Sequence, residues 1–163
     1  MRRVISLAVC LFILLSFFGC TEERDGYLEL GLELPKYYES IEASDTFDAA
    51  YTDRCAVIGL IRLSFDAAID DGIIETYSPE AFARYYKKRI NKDYATVEFR
   101  GDVPYIVYTD DGDGSLDEYT YLAAFYRTRY AYFVLTCLVP SEKFSDYTEE
   151  FLSIAASAYI DYK

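Results

Sequence analysis

Apolar and polar residues alternate along this chain first with the period of a strand, then of a helix, then of strands again. "YLELGLELP" (27–35) sets Leu against Glu or Gly at every second position, the pattern of a half-buried strand. "TFDAAYTD" (46–53) and "CAVIGLIRLSF" (55–65) predict a hairpin through Thr52, Asp53 and Arg54. The second run is apolar almost throughout, as a central strand requires. "AAIDDGIIETY" (67–77) predicts a loop or a short turn of helix.

The clearest helix signal is "SPEAFARYYKKRIN" (78–91). Ser78 offers an N-cap oxygen, Pro79 fits the first helical position, and Glu80 suits the positive end of the helix dipole. Phe82, Tyr85, Tyr86, Arg89 and Ile90 recur at helical spacing, and Lys87, Lys88 and Arg89 suit the other end. Four runs rich in Tyr, Phe and Val follow: "YATVEFRG", "VPYIVYTD", "EYTYLAAFYRT" and "RYAYFVLTCLV". Turn signals separate them at Gly101-Asp102, at an Asp/Gly stretch and at Thr128-Arg129, so the short connections predict an antiparallel meander. "SEKFSDYTEEFLSIAASAYI" (141–160) then predicts a closing amphipathic helix, with Phe144, Tyr147, Phe151, Ile154 and Ala158 on one stripe. Together these elements predict an α+β fold: an antiparallel sheet of about six strands with helices packed on it.

The order of an N-terminal strand pair, a helix, a four-strand meander and a closing helix resembles the PsbP-like fold, which also includes the Ran-binding Mog protein and several bacterial lipoproteins. The resemblance covers most of residues 27–161. It is carried by "GLELPKYYES" near the start and by "YAYFVLTCLVPSEKFSDYTEEFLSIAAS", where the last strand leads through a Pro-containing turn into the helix. The resemblance implies an α/β/α sandwich without enzyme chemistry that works by binding, and it names no ligand.

The first 25 residues change the picture of where the chain resides. "MRRVISLAVCLFILLSFFGCTEERD" has a short positive start and an apolar run from Val4 to Phe18. That run is shorter than the roughly 20 residues a spanning helix needs. It ends at Gly19-Cys20 and resembles a bacterial lipoprotein signal, in which Cys20 takes the lipid and becomes the new N-terminus. Phe17 and Phe18 depart from the usual small residue or Leu at those positions. The expected organisation is a signal at 1–19, a tether at 20–26 and one domain at 27–163, lipid-anchored in the cell envelope. The alternatives are an uncleaved anchor or ordinary signal cleavage nearby, and in each case the domain lies outside the cytoplasm. Removing 1–19 leaves 144 of 163 residues and takes the formal charge from −12 to −14. That acidity disfavours nucleic acid as a partner and offers no basic patch to anionic lipid, so membrane attachment falls to the N-terminus.

Composition then narrows the chemistry. There is no His among the 163 residues, which excludes Ser-His-Asp and Cys-His mechanisms and His-based zinc sites. No phosphate-cradling Gly-rich motif occurs, and any sugar-stacking surface must use Tyr or Phe because Trp is absent. A carboxylate hydrolase would need two facing acids, and Asp66, Asp70, Asp71 and Glu75 cluster in sequence without defining such a pair. With Cys10 in the signal and Cys20 at the lipid site, Cys55 and Cys137 remain. They form either one disulfide, the favoured reading, or two buried thiols.

Two candidate sites remain. "YTDDGDGSLDEYTY" (108–121) imitates the centre of an EF-hand loop, but Thr109 and Thr120 stand where the first and last ligands belong and both flanks read as strands. The primary expectation is a solvated hairpin tip without cofactor. The alternative is a weak calcium site of Asp110, Asp111, Asp113 and Asp117, serving a calcium-dependent adhesin or sugar-binding module. The second candidate draws on the 18 tyrosines. If helices cover one sheet face only, Tyr119, Tyr121, Tyr130 and Tyr132 form an exposed binding face for a protein or envelope component, since Tyr combines contact area with a polar tip. The other reading is that Tyr simply suits a half-exposed sheet.

Overall fold

The computed structural model describes residues 28–42, 46–73, 76–110 and 118–162. The expected signal and tether, with Cys20, lie outside them. The elements in chain order are β1 (Leu28–Gly31), β2 (Glu39–Ile41), β3 (Ala49–Thr52), β4 (Val57–Ser64), α1 (Phe65–Asp70), α2 (Pro79–Arg89), β5 (Glu98–Arg100) and β6 (Val103–Asp110). They continue with β7 (Tyr119–Arg127), β8 (Ala131–Pro140), a 3-10 turn (Ser141–Lys143), α3 (Phe144–Ala156) and β9 (Tyr159–Tyr162).

Seven strands form one antiparallel sheet in the order β2-β3-β4-β8-β7-β6-β5, one strand more than the sequence pattern suggests. The meander β5 to β8 is as expected, and it joins the β2–β3–β4 unit where β4 pairs β8 from Val57↔Leu138 to Ser64↔Ala131. The turn between β3 and β4 is built by Asp53, whose Oδ1 accepts from the backbone N–H of Cys55 (2.9 Å) and Ala56 (2.6 Å). Arg54 takes φ 81° there. Gly59 lies at the centre of β4 because a Cβ would stand 2.3 Å from the ring of Phe47, which covers that spot.

Helices cover both faces of the sheet. Successive strand residues point to opposite sides, and the two cores sort accordingly. Phe82 and Ala83 of α2 pack with Ala68, Ile106, Ala123, Phe125, Tyr132 and Val134. On the other side Phe151, Leu152, Ile154 and Ala155 of α3 pack with Ile58, Leu122, Ala124, Leu135, Cys137 and Val139. Helix α2 starts as its sequence requires: the Ser78 side chain accepts from the Ala81 N–H at 3.1 Å and Pro79 opens the helix. Ser64, the last residue of β4, caps α1 in the same way at 3.3 Å. A tyrosine braces each face: Tyr126 donates to Ala155 O of α3 (2.7 Å) and Tyr132 to Tyr77 O ahead of α2 (3.0 Å).

The closing helix is shorter than its apolar period suggests. It stops at Ala156, and Ser157 Oγ donates to Ile154 O at 2.7 Å while accepting from the Glu33 N–H at 3.1 Å. The chain then turns into β9, which pairs with β1 as a separate two-stranded ribbon. The partner strand outcompetes the helical pattern, and Gly31 permits it, since the Tyr159 ring lies where a Gly31 Cβ would be, 2.4 Å away. Leu30 of the ribbon packs on Ala131 and Phe133 and so extends the cover on the α3 face. After β1 the chain runs along α3, where Tyr37 and Tyr38 both donate to Glu150, Tyr38 at 2.8 Å. The carboxylate acceptor raises Tyr37 to about 12, and burial together with Glu150 raises Tyr38 further.

Two measurements test this packing. Phe151→Ala deletes a fully buried ring and should cost about 3–5 kcal/mol in denaturant unfolding. Asp53 provides a pH signature. Burial pushes its carboxyl up, but the Tyr147 hydroxyl at 2.6 Å and the turn N–H groups outweigh this and hold it below its usual value. A depressed folded pKa gives stability that is present above the unfolded value and lost as pH falls through the folded one. Thermal melts between neutral and strongly acidic pH should therefore fall less steeply for Asp53→Asn than for the unsubstituted chain.

Candidate binding groove

Strands β3, β4 and β8 meet the ribbon in an open groove of about 380 Å³, lined by Leu30, Asp48, Ala49, Tyr51, Leu60, Arg62 and Phe133. The floor follows from register. Leu60 pairs with Ala49 on one side and Leu135 on the other, Tyr51 faces Ile58, and Arg62 faces Phe133. Alternation along β4 puts Leu60 and Arg62 on the same face as the α3 core. Leu30 of β1 supplies one wall. At the rim, Asp48 extends the β3 ladder by donating its N–H to Leu60 O (2.9 Å), and its Oδ2 accepts from the Arg62 N–H (2.6 Å). The groove thus joins an apolar floor to one acid and one guanidinium, with Arg62 Nε enclosed by protein. That composition suits an amphipathic ligand or side chain.

Two further hollows flank the core. One of about 390 Å³ lies between the ribbon and the β7–β8 turn and shares Leu30 with the groove. The other, about 200 Å³, lies between α2 and β4, floored by Ile61, Leu63 and Val134. At this smaller hollow Arg89 Nη2 meets Asp71 Oδ1 at 3.0 Å, and Tyr85 donates to Asp71 O. Asp71 is therefore engaged as an ion-pair partner, and Asp66 and Asp70 lie on the exposed α1. Glu75 lies outside the described residues.

The structure separates the four tyrosines proposed as one face. Tyr132 is fully buried against Phe82 and Phe65, ring centroids 4.7 and 5.3 Å away, because α1 and α2 occupy the side of the sheet to which it points. Tyr130 precedes β8 in the turn and is 53% exposed. Tyr119 and Tyr121 are half-buried at the far end of β7. Tyr121 stacks on Tyr108 at 5.0 Å with nearly parallel rings, and Tyr108 in turn bonds Tyr86 of α2. Tyr121 and Tyr132 serve as internal bracing, and Tyr130 alone of the four is freely exposed. A single exposed tyrosine face requires one open side of the sheet, and helices cover both sides.

Of the proposed calcium ligands, Asp111, Asp113 and Asp117 lie outside the described residues. Asp110 closes β6, and its Oδ2 stands 3.5 Å from Lys92 Nζ, an ammonium that a bound cation there would have to displace. Among the described residues no group of three or more acidic or Cys side chains is placed to hold a metal. Cys55 and Cys137 are free thiols in place of the favoured disulfide. The ladder with β8 begins at Val57, so Cys55 sits exposed in the Asp53 turn while Cys137 is fully buried within β8. Burial pushes the Cys137 thiol far up.

No protein-family model matches the chain and no curated protein matches its sequence. Solved structures do. LpqN of Mycobacterium tuberculosis, described as involved in cell envelope biogenesis, superimposes with a TM-score of 0.54 at 10% identity, over 85% of this chain and 87% of LpqN. A crystal structure from Bacteroides thetaiotaomicron gives 0.51 at 12% identity over 82% of this chain, which spans only 46% of that one. The solution structure of cyanobacterial PsbP from Synechocystis gives 0.42 at 14% identity over 88% of this chain and 98% of that one. The likeness of fold, an α+β sandwich around an antiparallel sheet, rests on the first two.

The tyrosine assignments separate cleanly in stability measurements. Tyr132→Ala should cost about 3–5 kcal/mol as a core truncation, and Tyr130→Ser should stay within about 0.5 kcal/mol. Maleimide labelling of the native protein should modify Cys55 within minutes and reach Cys137 only once the protein is denatured.

Proposed function

We propose that this chain is an extracytoplasmic domain, lipid-anchored through Cys20, that binds a protein or another envelope component and carries out no catalysis. The observation that supports it most directly is the groove beside the ribbon. It pairs the apolar floor of Leu60, Tyr51 and Phe133 with Asp48 and Arg62 at the rim. Such a surface recognises a partner by one inserted apolar group and one polar contact. The sequence offers no His for general acid–base work. The shared fold of LpqN, a protein described as involved in cell envelope biogenesis, agrees with a role in the envelope. Fold alone does not transfer an activity, so the groove carries the reading.

A photoreactive phenylalanine analogue at position 51, on the groove floor, should capture one discrete envelope component in intact cells. The same analogue at position 94, an exposed site beside β6, should not. Leu60→Glu should abolish the adduct while leaving the amount of anchored protein unchanged. Equal capture from both positions, or an adduct that survives Leu60→Glu, would place the partner elsewhere.

A further inference from the structure

The molecule has two unlike ends, and the ribbon marks one of them. β1 begins at Leu28, eight residues after Cys20. Even fully extended, a spacer of that length reaches about 30 Å. Leu30 fixes β1 against Ala131 and Phe133, beside the β7–β8 turn. This end exposes two tyrosines, Tyr130 at 53% and Tyr159 at 50%. Arginines accompany them: the Arg129 guanidinium lies 5.6 Å above the Tyr130 ring, and Arg127 lines the same hollow as Tyr159. The acid in that hollow is Asp102. At the opposite end of the sheet, where β6 finishes and β7 starts, stand Asp110 and Glu118, bracketing an acidic stretch of sequence.

We propose that the ribbon end rests on the bilayer surface, with Tyr130 and Tyr159 at headgroup depth. This rests on the lipid-anchor reading above and adds to it which end meets the membrane. Tyr is the side chain of the membrane–water boundary because its ring is apolar and its hydroxyl is wet. Arg reaches past such rings to phosphate while its stem stays against apolar surface. With a formal charge of −14 once residues 1–19 are removed, the chain gains no net attraction from anionic lipid. The surface it fits is therefore a zwitterionic headgroup layer, and the end that carries Asp110 and Glu118 points away. The binding groove, which shares Leu30 with the ribbon, then opens beside the membrane rather than far above it.

The chain contains no Trp, so a single introduced Trp reports on one site. The full lipid-anchored protein is reconstituted into phosphatidylcholine vesicles containing brominated phosphatidylcholine, which quenches indole on contact. Tyr130→Trp and Tyr159→Trp should be quenched roughly two-fold or more, and Tyr94→Trp, 65% exposed near the other end, should barely change. Tyr130 is an exposed turn position, so its result decides even where Tyr159→Trp disturbs the packing on Gly31. Co-flotation with the vesicles separates the two ideas. Protein that does not float overturns the anchor and the orientation with it. Protein that floats but is quenched equally at all three positions, or mainly at position 94, overturns the orientation alone.

Discussion

The pairing of β4 with β8 is the contact on which the rest of the structure depends. It joins residues 57–64 to residues 131–138 through eight consecutive register pairs. Without it the β2–β3–β4 unit and the β5-to-β8 meander would be two small sheets, each with an open edge and too little apolar area to bury alone. Because β8 sits between β4 and β7, nearly all of it is buried, and its alternating side chains feed both cores at once. Tyr132 and Val134 serve the α2 side; Leu135, Cys137 and Val139 serve the α3 side.

That central strand also explains the heavy use of tyrosine. A sheet covered on both faces by only short helices leaves gaps at the helix margins, and Tyr fills them with a ring whose hydroxyl still finds an acceptor. Tyr126 reaches a carbonyl of α3, Tyr132 the carbonyl of Tyr77, and Tyr147 the carboxylate of Asp53. The hydroxyls tie helices and turns to the sheet, so much of what reads as an adhesive surface in composition is internal joinery. The groove arises where this cover is incomplete, beside the ribbon, and its floor is the continuation of the same β4 and β8 faces.

Under the proposed anchoring, the orientation of the domain depends on how its surface is polarised. Among the described residues, Tyr130, Arg127 and Arg129 stand around the β7–β8 turn, and Asp110 and Glu118 stand at the other end of the same strands. Binding groove, ribbon and turn share Leu30 or its neighbours. A partner seated in the groove would therefore lie close to whatever surface the ribbon end touches.

Local signals determined much of the architecture. The Ser78-Pro79 start of α2, the Asp53 turn and the meander from β5 to β8 were all legible, because caps, turns and short-range alternation are decided by neighbouring residues. Three things were not. Period alone could not show that helices would cover both faces, so Tyr132 read as surface when it is core. The apolar stripe of α3 runs on through Ala158, but a strand partner from the other end of the chain claims residues 159–162. The groove combines residues 30, 48, 62 and 133, and no local pattern links them. Sequence thus determined most of the segments that form elements, and tertiary structure alone decided which faces stay open, because burial depends on contacts between segments far apart in the chain.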